Sequence, residues 1–216
     1  MHDSFFDSLL DAVAHFVLGG ADPILLSDAV SPVEAETLAR HRSAPGGDSG
    51  PLGLGRIREH DPDFDIGEFL KRVGEMFFAY HLAEDNGDLS AARRFIDEES
   101  WAQLDQTVQK AGRRADGPRT FRIKAIRPMT ATHEFGLDTI RVLINAQITN
   151  DDDPPLCEYW ELVRKRGTLT KPGLDLTHCP HCGAPIDGDD PTRCAYCGER
   201  LADPAFDWVA SKIAAQ

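Results

Sequence analysis

No run of 18 apolar residues occurs in the 216-residue chain, so no stretch is read as a membrane-spanning helix. The start also lacks a basic stretch followed by an apolar core and a small-residue cleavage site, the signature of a secretory leader. A soluble intracellular protein is expected on both grounds. Cations are scarce: 23 Lys and Arg stand against 36 Asp and Glu, for a net charge of −13. A chain this acidic is repelled by phosphate backbones and anionic lipids unless its few cations cluster, which disfavours nucleic acid as a partner. Cysteine is scarce as well. Four of the five fall into two close pairs, Cys157 is the fifth, and it is read as a half-buried strand thiol. No internal repeat is read. The apolar content of 41% is nevertheless enough for a real core.

The two cysteine pairs carry the clearest chemistry. Cys179-Pro-His-Cys182-Gly183 is followed by Cys194-Ala-Tyr-Cys197-Gly198, with a short polar loop between them. Two such knuckles bring four thiolates to one point, which predicts one structural zinc ion held by Cys179, Cys182, Cys194 and Cys197. Four protein ligands leave no position for a reacting water, so the metal is expected to hold a ribbon together and not to catalyse. His178 and His181 stand beside a complete ligand set and are read as bystanders. Thiolates must stay reduced to bind metal, which places the protein in the cytoplasm; the inner membrane is the surface a peripheral form would meet. Asp187, Asp189, Asp190, Glu199 and Asp203 outnumber Arg193 and Arg200 around the knuckles, against a nucleic-acid-binding ribbon.

Along the chain, Phe5, Phe6, Leu9, Leu10, Val13, Phe16 and Val17 recur at helical spacing over residues 4–18, with Asp3, Asp7 and Asp11 among the polar positions. A polar face that is acidic suits packing on protein better than lying on a membrane. Ser31-Pro32-Val33-Glu34 opens a second helix, so residues 1–45 form an N-terminal helical segment. The Gly-, Pro- and Ser-rich stretch that follows marks residues 46–60 as a flexible linker. The main domain spans 61–216. Asp65 to Glu68 caps a long helix with Phe69, Val73, Met76, Phe77 and Tyr80 on one stripe; Asp88 caps a short helix through Ile96; Asp97 caps a third with Trp101, Leu104 and Val108.

After Gly117-Pro118 the period changes to two. Phe121, Ile123 and Ala125 alternate with Arg122 and Lys124, and Ile140 to Ile148 alternate with polar residues; these strands are joined near His133 to Gly136. Cys157–Arg166 and Phe206–Ile213 are further strands, with the zinc ribbon, 174–204, inserted before the last. Helices followed by strands predict an α+β fold, a curved, cone-like antiparallel sheet packed on N-terminal helices. Arg122 and Lys124 share one strand face and are expected beside Arg164 or Arg166. That face is read as solvated and balanced by acids, the other reading being a site for phosphate or lipid headgroups.

Asp61-Pro-Asp-Phe64, Phe69-Leu70 and Asp88-Leu89-Ser-Ala-Ala-Arg-Arg-Phe95-Ile96, then Glu158-Tyr-Trp160-Glu-Leu-Val-Arg164 and Phe206-Asp-Trp208-Val209, resemble the Tim-forty-four-like domain over about residues 60–214. Bacterial relatives often place a zinc ribbon between the last two strands. Their first knuckle reads Cys-Pro-x-Cys-Gly-Ala-Pro, here Cys179 to Pro185. The resemblance implies a nuclear-transport-factor-two-like cone with an apolar pocket and a transport-related, non-catalytic role in binding a protein or peptide. Its pocket is expected to be lined by Phe69, Val73, Phe77, Tyr80, Trp101, Phe121, Ile123, Tyr159, Trp160 and Trp208. Two alternatives stand beside it: a peripheral lipid-binding protein, and a small-molecule enzyme using Tyr80, His81, His133, Asp138 or Tyr159, which no spacing ties together.

Overall fold

Four antiparallel strands in the order β1-β2-β3-β4 organise the chain: β1 Thr120–Glu134, β2 Leu137–Thr149, β3 Leu156–Lys165 and β4 Val209–Ala215. The computed structural model describes residues 52–149, 155–187 and 190–215. Among the described residues three α-helices precede the sheet: α1 Gly55–His60, α2 Ile66–Asp85 and α3 Glu98–Ala111, with a 3-10 turn, Ser90–Arg94, between the last two. The cysteine-bearing segment lies between β3 and β4. The fold is α+β, with a curved antiparallel sheet and the helices ahead of it.

Local chemistry accounts for the element ends. Asp65 accepts from the amides of Gly67 (2.8 Å) and Glu68 (3.1 Å), and Asp97 from Ser100 (2.7 Å), so both long helices start where a carboxylate satisfies otherwise unpaired donors. Gly112, with φ of 69°, ends α3. The β1–β2 hairpin turns through Phe135 (φ 52°) and Gly136 (φ 78°), the pair of left-handed residues that a two-residue turn needs to match strand twist.

The alternation in the strands resolves into two faces. Ile140, Val142, Ile144 and Ala146 from β2, with Trp160 and Leu162 from β3, point inward and are buried. They meet the apolar stripe of α2: Phe77 contacts the rings of Phe121 (5.5 Å) and Trp160 (6.3 Å), and Tyr80 stands edge-on to Trp160 at 5.7 Å. Burying each large apolar side chain of this kind contributes about 1.5–3 kcal/mol. Helix α3 keeps most of its surface in water, with Trp101 and Leu104 packed on the core's margin.

Several expectations are corrected here. The linker reading of 46–60 does not hold over residues 52–60: Ile57 is fully buried, Leu54 is buried, and the Leu52 carbonyl accepts from the Ala131 amide at 2.7 Å, tying this stretch to β1. Gly53 there takes a turn (φ 76°) and Gly55 starts α1, so neither marks a spacer. The last strand starts at Val209 and not at Phe206, because Phe206 and Asp207 donate their amides to the Asp203 carbonyl in a turn. The helix after Asp88 is a 3-10 turn of five residues. Residues 1–45, with both helices read there, lie outside the described residues.

Candidate metal centre and adjoining cleft

The knuckles are built twice over to one plan. Cys179 accepts the Gly183 amide at 2.9 Å and donates its own amide to Ala184 at 2.8 Å; Cys194 does the same with Gly198 and Glu199, both at 2.9 Å. Gly183 (φ 76°) and Gly198 (φ 75°) take the left-handed turn that brings the second cysteine of each pair back towards the first. Ahead of each knuckle a threonine bonds an aspartate through both amide and hydroxyl: Thr177 to Asp175 at 2.8 and 2.6 Å, Thr192 to Asp190 at the same distances. The paired bridges His178–Pro185 and Arg193–Arg200 complete the match. This corrects the expectation of no repeat: Asp-x-Thr-x-Cys-x-x-Cys-Gly occurs at Asp175 and again at Asp190, a signal legible in the sequence once the threonines are aligned with the cysteines.

The result is a cluster whose four Sγ atoms all lie within 4.8 Å of one another, with Cys179–Cys197 at 3.8 Å and Cys182–Cys194 at 3.7 Å. A tetrahedral ion with metal–sulfur bonds near 2.3 Å puts its sulfurs about 3.8 Å apart, so the donor set and its spacing suit a metal ion. Burial works against the Cys194 thiolate, yet amides of Cys197 and Tyr196 aimed at its sulfur bring the thiol down to about 7. Among the described residues only Cys179, Cys194, Leu201, Ile186 and Cys197 make up the apolar centre of this module. So small a core cannot hold it together unaided. His178 is exposed and bonded to Asp175, and His181 stacks on Phe206 at 4.5 Å, so neither belongs to the cluster.

The module is fastened to the body through the segment 169–176. Leu176 enters the main core, Arg94 Nη1 donates to its carbonyl at 3.0 Å, and Lys171 Nζ donates to the carbonyls of Pro180 and His181. Between this segment, the start of α2 and the Phe206–Trp208 turn lies an open cleft of about 420 Å³. Phe69, Trp208, Phe206 and Leu169 give it an apolar wall, with Leu169 58% exposed. Asp63 and Glu68 are exposed at its border. Its two arginines are already engaged: Arg72 with Asp207, and Arg164 with Asp61 at 2.8 Å.

Of the ten residues expected to line an apolar pocket, Phe69 and Trp208 border this cleft. Val73, Phe77, Tyr80, Phe121, Ile123 and Trp160 are buried against one another in the core, Trp101 sits at its margin, and Tyr159 points to the opposite face of the sheet, beside Leu143. The expected pocket is therefore corrected to a filled core. The aromatic stripe read as pocket has the same spacing as a packed helix face, and only tertiary structure separates the two.

Four of the five candidate catalytic residues meet, in two groups, and Tyr159 joins neither. His133 Nδ1 lies 2.7 Å from Asp138, and His133 Nε2 lies 3.0 Å from the Gly53 carbonyl. His81 is 2% exposed and lies between two carboxylates, with Nδ1 2.9 Å from Glu84 and Nε2 3.3 Å from Glu158, which also accepts from Trp160 Nε1 at 2.8 Å. Phe77, Tyr80 and Phe121 close around its ring. With both nitrogens of His81 engaged and its ring enclosed, this group is an ion cluster centred on a buried histidine. Sequence reasoning missed Glu158 and Glu84 because nothing local links them to His81.

Burial opposes protonation of His81, but hydrogen bonds to Glu158 and Glu84 outweigh it and raise its pKa; burial also opposes ionisation of Glu84, which His81 and Arg119 override, lowering that one. The raised histidine stabilises the fold fully below about pH 6.5 and loses that contribution as pH rises through its folded value. The lowered carboxylate contributes above about pH 4.5 and loses its share as pH falls through its folded value. The expected result is a His81 ring that keeps its proton above pH 6.5 in an NMR titration. A ring that deprotonates below that point contradicts the ion cluster.

No helix among the described residues is long and apolar enough to cross a membrane. No protein-family model matches the chain, and a search of curated proteins finds no match to it.

Proposed function

We propose that this chain is a non-catalytic binding module of the Tim-forty-four-like type, whose cleft beside a structural zinc ribbon holds a peptide segment of a protein partner. The observation that carries the reading is the build of the cleft: one wall is the end of the main core, and the other is the segment that anchors the ribbon. Four soft thiolates at tetrahedral spacing favour zinc, with iron the lesser alternative. Metal binding in this reading orders the ribbon and thereby shapes the cleft. Reduced thiolates fit a cytoplasmic setting.

The lining supports a partner segment with an apolar side chain flanked by basic residues. Phe69, Phe206, Trp208 and Leu169 offer the apolar contact. Asp63 and Glu68 supply negative charge at the rim, and Arg164 and Arg72 are neutralised by Asp61 and Asp207. The lipid-binding alternative is less favoured, because the residues that would surround an acyl chain fill the core. The enzyme alternative is less favoured, because the His81 cluster is enclosed.

The test is a display selection of random peptides on the immobilised full chain. Enriched peptides should carry an aromatic or large aliphatic residue next to Lys or Arg. Leu169→Arg, and separately Asp63→Lys with Glu68→Lys, should weaken them by at least about tenfold, since all three positions are surface-exposed. Absence of enrichment, or peptides that bind these variants as well as the wild type, would refute the cleft as a docking site.

A further inference from the structure

We propose that Cys182 is an oxidation site that controls the cleft: a hydroperoxide joins Cys182 to Cys194 in a disulfide, the metal leaves, and the cleft loses the wall that the first knuckle supports. The control of the cleft rests on the peptide reading above, whereas the oxidation site rests on the four-thiolate cluster and its metal.

The four cysteines are not equivalent. Cys179 is fully buried, Cys194 is 3% exposed, Cys197 is half-buried and Cys182 is exposed. Thiolate character and access to the reagent decide which cysteine a peroxide oxidises, and metal ligation gives thiolate character to all four. Access therefore singles out Cys182. The Cys194 sulfur lies 3.7 Å from it, close enough to attack an oxidised Cys182. With hydrogen peroxide, the Cys182 thiolate attacks one oxygen, the O–O bond breaks, and a sulfenic acid and a hydroxide result. The Cys194 thiolate then attacks the Cys182 sulfur, an S–S bond forms and a second hydroxide departs. Two thiolates lose two electrons, the peroxide gains them, and two protons from solvent complete two waters. A disulfide bond is about 2.0 Å long, so the two sulfurs close by about 1.7 Å and turn away from the ion. The two thiolates that remain cannot complete a tetrahedral site.

The cleft feels this change because two of its residues lean on the first knuckle. Lys171 Nζ donates to the carbonyls of Pro180 and His181, and the His181 ring stacks on Phe206 at 4.5 Å. Lys171 and Phe206 both line the cleft, with Lys171 Nζ 5.9 Å from the Phe206 ring. Pro180 and His181 stand between Cys179 and Cys182, in the turn that these two ligands close around the metal. Without the metal the small core of the ribbon cannot keep that turn, and the supports of Lys171 and Phe206 go with it.

The test uses the zinc-loaded full chain with hydrogen peroxide as oxidant. A chelating dye should record one zinc released per chain, and mass-spectrometric mapping should find Cys182 joined to Cys194. A dithiol with added zinc should reverse both. Peptides selected on the cleft should bind the oxidised chain at least about tenfold more weakly. Cys182→His keeps a fourth ligand, since three cysteines and one histidine also hold structural zinc, and should release it to peroxide at least about tenfold more slowly. Mapping on the wild type decides the site if that variant does not bind zinc. Zinc retained under peroxide, a disulfide between another pair of cysteines, or equal release from Cys182→His overturns the oxidation site. These readouts need no cleft ligand, so they stand apart from failure of the peptide reading. Full release with peptide affinity unchanged overturns the control of the cleft.

Discussion

Replacing Cys182 by alanine is expected to abolish stoichiometric metal binding and to unfold residues 174–204 while the sheet stays folded. The proposed zinc is the main source of order in the ribbon. Free energies on the order of 10–16 kcal/mol accompany structural zinc binding to small domains, far more than a centre of Leu201, Ile186 and the cysteines can contribute. Three remaining thiolates leave a coordination position open to water, and the turn closed by the Gly183 amide loses its anchor. The main core is a separate cluster, so β1 to β3 should keep their exchange protection. Cys194→Ala, on the other knuckle, should behave alike. Metal analysis and amide exchange on each variant are the measurements. One bound equivalent retained, or a ribbon that stays protected without metal, would falsify the assignment. Loss of the metal should also weaken any peptide held in the cleft, since Lys171 and the 169–176 segment are anchored to the first knuckle.

The second large effect is expected at Asp61. Asp61→Ala should cost about 3–5 kcal/mol, the penalty for stranding a buried charge. Asp61 accepts from Arg164 Nη2 at 2.8 Å and from the Thr170 hydroxyl at 2.6 Å and amide at 3.1 Å, and both side chains of the ion pair are 2% exposed. Arg164 Nε already has no hydrogen-bond partner, and the guanidinium rests on Trp208 at 4.6 Å. Removing the carboxylate leaves that cation with aromatic faces and the Thr170 hydroxyl alone. Replacing both partners, Asp61→Leu with Arg164→Met, should recover most of the loss, because well-packed apolar pairs often match buried ion pairs in stability. Urea unfolding of the single and double variants gives the coupling directly. A single variant that loses under about 1 kcal/mol would show the pair to be open to water.

These two sites differ in how far sequence could foresee them. The knuckles declare themselves because the chemistry is local: cysteines three apart, a glycine next, and a threonine and aspartate just before. The helix caps at Asp65 and Asp97, the hairpin at His133 to Gly136 and the alternation in β1 and β2 are legible for the same reason. Asp61 stood in the sequence only as part of a resemblance, and Arg164 as one of a run of cations. Their partnership joins positions 103 residues apart, and that of His81 with Glu158 spans 77.

The sequence by itself determined the four-thiolate cluster, the order of helices before strands and the faces of the long strands, since each depends on neighbours within a turn or a pleat. Tertiary structure alone decided which aromatic residues fill the core and which border a cleft, because both share one helical spacing. It alone decided that Arg164 turns inward to Asp61 while Arg122 and Lys124 stay in water, because strand register and the bulge at Lys124 set the face each side chain occupies. Asp61, just after α1, then supplies the carboxylate that the inward Arg164 meets.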